Sequence, residues 1–512
     1  MVSTPVPPIE IGSLTASTPE ESQFIGSSSG VFFVNTVHRA FARSKKGSIA
    51  DRGNGVAESG HDAASVENFI AGDESPRRSQ STDEIGGALN HNIQGIQALG
   101  IHSHVLGVPP SQEHATNLIM VYFQTWHPLF PFLHGPTFLR DVETFYAGTS
   151  HFQNRMDRQQ VCRAIMFQCV FNIAALDKPE LALPGGSRIE SSSSLLSLLG
   201  VVAAKHDIVG LQALLSMQLY LVTTMSLRAA STVGGVLVKS LFHGGFHRCP
   251  FRYSQIAQHD FEIRKRIFWS AYATDRYLSQ ALGLPLGMQD SDVDVCLPGM
   301  EERHQQVPQP RPANGDGQEV ARAHLPQGHP DLVSTPSDSG EQGQERPPSR
   351  RIQSKHTPSG EDILANYVSY CRITGRALEL FHKSLHSRSV DHRHITLLTS
   401  DVHSWWNNLP RHLQERTSSD SSNASFSAFF NILYQSLIIL INRPFLSLSP
   451  SAPEFRLSLQ TCAGASRKTI LILRDHATAF SWPGVLSSTW MAGLVLAFGC
   501  ELDLYPYAKG VT

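Results

Sequence analysis

The stretch that decides the fold runs Arg266-Ile-Phe-Trp269-Ser-Ala-Tyr272-Ala-Thr-Asp275-Arg276-Tyr-Leu-Ser279. Phe268, Tyr272, Asp275, Ser279 and Leu282 recur every three or four positions, the spacing of one helical face. That spacing predicts a long helix over 260–282. Asp275 and Arg276 sit among aromatic residues, and an unpaired buried charge is costly. The pair is therefore expected to form a structural ion pair or cap contact that fixes helix packing. A contact that ligand binding breaks is the functional alternative.

Outward from this helix the same period dominates. Towards the N-terminus it predicts helices over 111–126, 137–146, 158–176, 208–227 and 231–243, with Ser111 as the cap of the first. Towards the C-terminus it predicts helices over 362–386, 394–408, 426–442, 456–480 and 485–499. Alternating strand patterns are nearly absent, so the expected fold class is all-α, a large multi-helix array. Two segments break the pattern. Residues 1–110 are rich in Ser, Gly, Asp and Pro and read as a mostly disordered segment, with one apolar island at 24–41 suited to docking on the folded body. Residues 299–361 lack Phe, Trp and Tyr and read as a disordered insertion. The expected division is a linker-like segment at 1–110, a first helical part at 111–298, the insertion at 299–361 and a second helical part at 362–512.

Composition removes several function classes. The formal net charge of the 512 residues is −2, whereas a chain built to grip phosphates is clearly basic. The seven cysteines are scattered from Cys162 to Cys500 with no C-x-x-C pair, which predicts buried reduced thiols and no metal site. His243, His247 and Cys249 form an H-x-x-x-H-x-C pattern, but Gly244-Gly245 is expected to end the helix and spoil a common ligand face. Residues 208–227 are the most apolar stretch; Gln212, Gln218, Thr223 and Thr224 make a core helix the better reading than a membrane span. Gly26-Ser-Ser28-Ser-Gly30 fits the serine-hydrolase G-x-S-x-G pattern, yet no parallel-sheet pattern surrounds it, so no enzyme is expected.

Several blocks together resemble one family. Residues 118–139 run from a helix into a turn containing Pro131 and Phe138. Arg266, Phe268, Trp269, Tyr272, Asp275, Arg276 and Ser279 are followed by Gly283, Pro285, Asp294 and Pro298. Gly245-Phe-His-Arg248 forms a short turn, Arg443 and Pro444 end an apolar run before Cys462, and residues 21–30 lie far upstream. This set is similar to the regulatory region, or middle homology region, of fungal binuclear zinc-cluster transcription factors. The family usually carries Arg where Leu284 stands, which puts that arginine's salt bridge in doubt here.

The resemblance implies a nuclear regulator of RNA polymerase II promoters and marks those residues as structural or regulatory rather than catalytic. It also implies a possible small-molecule inducer and homodimers or heterodimers with a related factor, with no membrane. Zinc would belong to the family's six-cysteine DNA-binding cluster. Two closely spaced cysteine triplets are needed for that cluster, and no cysteine precedes Cys162. Promoter DNA is thus expected to be reached only through a cluster lying outside these residues or through a partner. The alternative is an interaction protein that modulates a complete family member by heterodimerisation.

Overall fold

The computed structural model describes residues 12–18, 21–35, 37–38, 105–147, 157–297, 302–304, 360–382, 392–415, 426–475 and 482–502. Most of the expected insertion, and Pro298 with it, lies outside the described residues.

The first helix, α1 (Gln112–Thr125), begins where Ser111 caps it, the Ser111 hydroxyl accepting from the His114 amide. It is followed by α2 (Gly135–Ala147) and α3 (Arg158–Asp177). At the head of α3 the Asp157 amide donates to Gln160 Oε1 at 3.0 Å, half of a capping box. Next come α4 (Ile208–Thr223), α5 (Leu227–His243) and α6 (Phe261–Leu282). The second half supplies α7 (Gly360–Phe381), α8 (His392–Asn408), α9 (Phe426–Asn442), α10 (Pro453–Asp475) and α11 (Val485–Glu501).

Chain neighbours are packing neighbours: α3 lies on α4, α4 on α5, α5 on α6, α6 on α7, and α9, α10 and α11 on one another. One continuous core runs through α1 to α9, and a second cluster joins α9, α10 and α11. Burying a large apolar side chain contributes roughly 1.5–3 kcal/mol, so this core is the main stabilising term.

Helix α4 is buried over most of its length, and both of its glutamines donate to backbone carbonyls. Gln212 donates to the Phe132 carbonyl at 2.8 Å, and Gln218 to the Ala230 carbonyl at 3.3 Å. The expected helix over 208–227 divides instead, because Met225 adopts a positive φ of 59° between α4 and α5. Among the described residues, Phe426–Ser447 is long and apolar enough to cross a membrane. Phe429, Phe430, Ile432, Leu433 and Leu437 are at most 1% exposed, and Gln435 is buried with them, so this is a core helix.

Part of the N-terminal segment, expected to be mostly disordered, is ordered against the helical body. Gly12–Thr18 (β1) pairs antiparallel with Glu21–Gly26 (β2), Gly12 opposite Gly26, with an irregularity between Ala16 and Thr18. A turn then leads into a short helical stretch at 30–35. There Phe33 and Val37 join Ile439, Leu446, Phe455 and Phe498 in the second cluster.

Candidate functional site

The signature face of α6 holds the segment that returns along it. Ser279 donates to the Pro285 carbonyl at 3.2 Å, and Asp275 accepts the Gly287 and Met288 amides at 3.1 and 3.4 Å. Tyr272 donates its hydroxyl to Asp290 at 2.6 Å, and the Trp269 indole donates to the Cys296 carbonyl at 3.1 Å. As α6 is read backwards, its partners advance, so segment and helix run antiparallel. Within the same segment Asp294 accepts the Cys249 amide at 2.8 Å and pairs with Arg252. That tethers the 245–249 turn to the return segment.

Arg276 is the charged centre of this frame. Its guanidinium donates to Asp275 at 2.8 Å and to Asp290 at 2.7 Å, and lies 4.1 Å from the centre of the Tyr272 ring. Burial opposes its charge, but Tyr272, Asp275 and Asp290 outweigh burial and hold its pKa above the ordinary value. Helix α7 passes so close that a Cβ on Gly375 would meet Arg276 Nε at 2.8 Å. Phe268 and Trp269 are fully buried, Pro131 and Phe138 are buried around α1 and α2, Arg266 is half-buried, and Pro285 is exposed.

A cavity of about 410 Å³ opens between α6, α7, α9, α11 and the 28–31 segment, within the range of small-molecule sites. Most of its wall is apolar or aromatic, with Tyr277, Tyr367, Tyr370, Leu440 and Trp490 among its residues. Two signature arginines, Arg276 and Arg443, also line it. Pro444, next to Arg443, is half-buried.

Arg443 is only 7% exposed and donates to the Ser27 and Ser28 carbonyls, the first at 3.3 Å. The ion pairs found among the described residues give it no carboxylate, and burial lowers its pKa to about 10, so it remains a cation. Ser28 donates to the Gln280 carbonyl at 3.2 Å. Thus the hydrolase-like serine is a fastening of the N-terminal segment. Neither Arg443 nor the 27–30 turn was legible as part of a cavity, because the contacts join residues more than four hundred positions apart.

The His243–His247–Cys249 pattern does not assemble. Helix α5 stops at His243; the His243 ring packs against His206 at 4.9 Å and the His247 ring against Phe242 at 5.0 Å. Cys162, Cys169, Cys371 and Cys462 are buried in apolar surroundings. The described cysteines therefore do not fit a six-thiolate cluster. Contrary to the reading of isolated thiols, however, Cys249 and Cys296 come together beside Glu302 and His304.

Comparison with known proteins agrees with this frame. The fungal specific transcription factor domain matches residues 119–418. The probable transcription factor FUP6 of Fusarium proliferatum is 41% identical over 98% of this chain and 72% of its own length. The transcriptional activator protein acu-15 of Neurospora crassa is 26% identical over 76% of this chain and 38% of its own. Activator of stress genes 1 of Saccharomyces cerevisiae is 22% identical over 62% of this chain and 30% of its own. No solved structure matches the chain.

The helical frame is that of a regulatory region of transcription factors, not of an enzyme. The chain belongs to the fungal specific transcription factor domain family.

Proposed function

We propose that this regulatory region is controlled by a small molecule bound in the cavity between α6, α7, α9 and α11. One observation carries the reading: a largely apolar cavity is lined by Arg443, a buried cation that donates to the Ser27 and Ser28 carbonyls and forms no ion pair with a carboxylate among the described residues. Buried charges are stable when paired, so the complementary ligand has an apolar body and one acidic group. Its occupancy would be felt by Arg276 on α6 and by the 27–31 segment, coupling the cavity to the signature frame and to the N-terminal chain.

The protein acts in the nucleus on this reading. It reaches promoter DNA through a zinc cluster outside these residues or through a related factor with which it dimerises. Thermal unfolding of the purified chain with dodecanoate or dodecanol tests the ligand class. Dodecanoate is expected to raise the midpoint and dodecanol to do so less; equal or absent shifts would count against an acid-selective cavity.

A further inference from the structure

We infer that Cys249, Cys296, Glu302 and His304 form a mononuclear zinc site that pins the residues following the return segment to the α5–α6 connection. It is separate from the six-cysteine cluster, since it uses two thiols and lies inside the helical body.

The four side chains offer ligand atoms that all lie within 4.8 Å of one another. Glu302 Oε1 is 3.2 Å from Cys249 Sγ, 3.1 Å from Cys296 Sγ and 2.9 Å from His304 Nδ1. Cys296 Sγ is 3.4 Å from His304 Nδ1. Zinc bonds of about 2.0–2.3 Å in a tetrahedron place ligand atoms roughly 3.3–3.8 Å apart, so a small outward relaxation accommodates the ion.

The hydrogen-bond count points the same way. Glu302 Oε1 also receives the His304 amide at 3.3 Å, so two thiols, an imidazole and an amide converge on one carboxylate oxygen. One such oxygen has about two lone-pair directions. Replacing the thiol protons by a cation turns this crowd of donors into a ligand set. Two thiolates, an imidazole and a carboxylate select zinc over harder cations, and four protein ligands make a closed, structural site.

The surroundings hold the ligands in place. Asp294 accepts the Cys249 amide, Trp269 donates to the Cys296 carbonyl, and buried Lys265 donates to the other Glu302 oxygen at 2.8 Å. Two thiolates and one carboxylate leave a net charge of about −1 around a divalent ion, which the Lys265 ammonium neutralises.

The test uses the full chain, free of any histidine tag and kept under a reducing agent. Elemental analysis is expected to find about one zinc per chain. Cobalt refilling is expected to give tetrahedral visible bands with a thiolate charge-transfer band. Cys296→Ser and His304→Gln should each weaken zinc affinity at least about tenfold, whereas Cys462→Ser, a thiol in another cluster, should leave it unchanged. His304 lies at the partly exposed rim, so its variant reports even if the Cys296 variant fails to fold. A folded wild-type chain without zinc or cobalt bands would overturn the assignment. So would zinc retained in both ligand variants.

Discussion

Gly26 and Gly283 meet backbone to backbone, so closely that a Cβ on Gly26 would fall on the Gly283 carbonyl and one on Gly283 would collide with the Gly26 backbone. Gly283 also closes α6 in the left-handed region at φ 69°. The end of the signature helix is therefore the seat of the N-terminal ribbon. Gly283→Ala carries about 1 kcal/mol of backbone strain plus the clash, while Gly26→Ala carries the clash alone. Both are expected to release the 24–38 segment, seen as faster limited proteolysis, with Gly283→Ala having the lower thermal midpoint.

Arg276 and its two carboxylates predict an asymmetry in denaturant unfolding. Arg276 is 1% exposed, whereas the Asp290 side chain is 47% exposed. Arg276→Met strands the inward Asp275 and is expected to cost about 3–5 kcal/mol. Asp290→Asn keeps an acceptor at a hydrated site and should cost about 1 kcal/mol. Equal losses would show that the buried centre is not the arginine.

Arg443 should determine ligand class rather than the capacity to bind. Arg443→Met keeps an apolar side chain of comparable length but removes the cation beside Ser27 and Ser28. Calorimetry is expected to show dodecanoate affinity falling about tenfold or more with dodecanol affinity little changed. Loss of both would mean that the substitution collapses the cavity.

His127 sets an acid limb of stability. Burial, followed by Arg266 and His134, lowers its pKa from 6.5 to about 4. Between these values the unfolded chain binds the proton and the folded chain does not. The stabilisation is therefore complete above pH 6.5 and declines as pH falls towards 4, by roughly 2–3 kcal/mol for a half-buried ring. Denaturant midpoints for His127→Gln should be flatter across that window than those of the wild type.

Local chemistry was readable where local contacts decide the outcome. Ser111 caps α1, the spacing of Phe268, Tyr272 and Ser279 specifies α6, and the apolar run at Phe426–Asn442 forms the expected helix. The β1–β2 ribbon was not readable, because the alternation in Gly-Ser-Leu-Thr-Ala-Ser-Thr rests on Leu14 and the small Ala16 alone, too little apolar surface to mark a strand. Nor was the convergence of Cys249 with Cys296. It depends on Asp294 and Trp269 drawing two distant loops together, a tertiary event with no local period. The cavity was beyond reach for the same reason: Arg276, Arg443 and Ser28 share a wall only after α6, α9 and the N-terminal segment have packed.

The most direct test of ligand control through the cavity is a tethered reporter. The full chain would be fused to an unrelated DNA-binding module and compared with a Ser436→Trp fusion, in which an indole occupies the cavity from α9. With both fusions equally abundant and folded, the wild type is expected to change reporter transcription several-fold on addition of dodecanoate. The filled variant is expected to sit at one fixed level with or without it. Identical ligand responses from the two fusions would contradict control through this cavity.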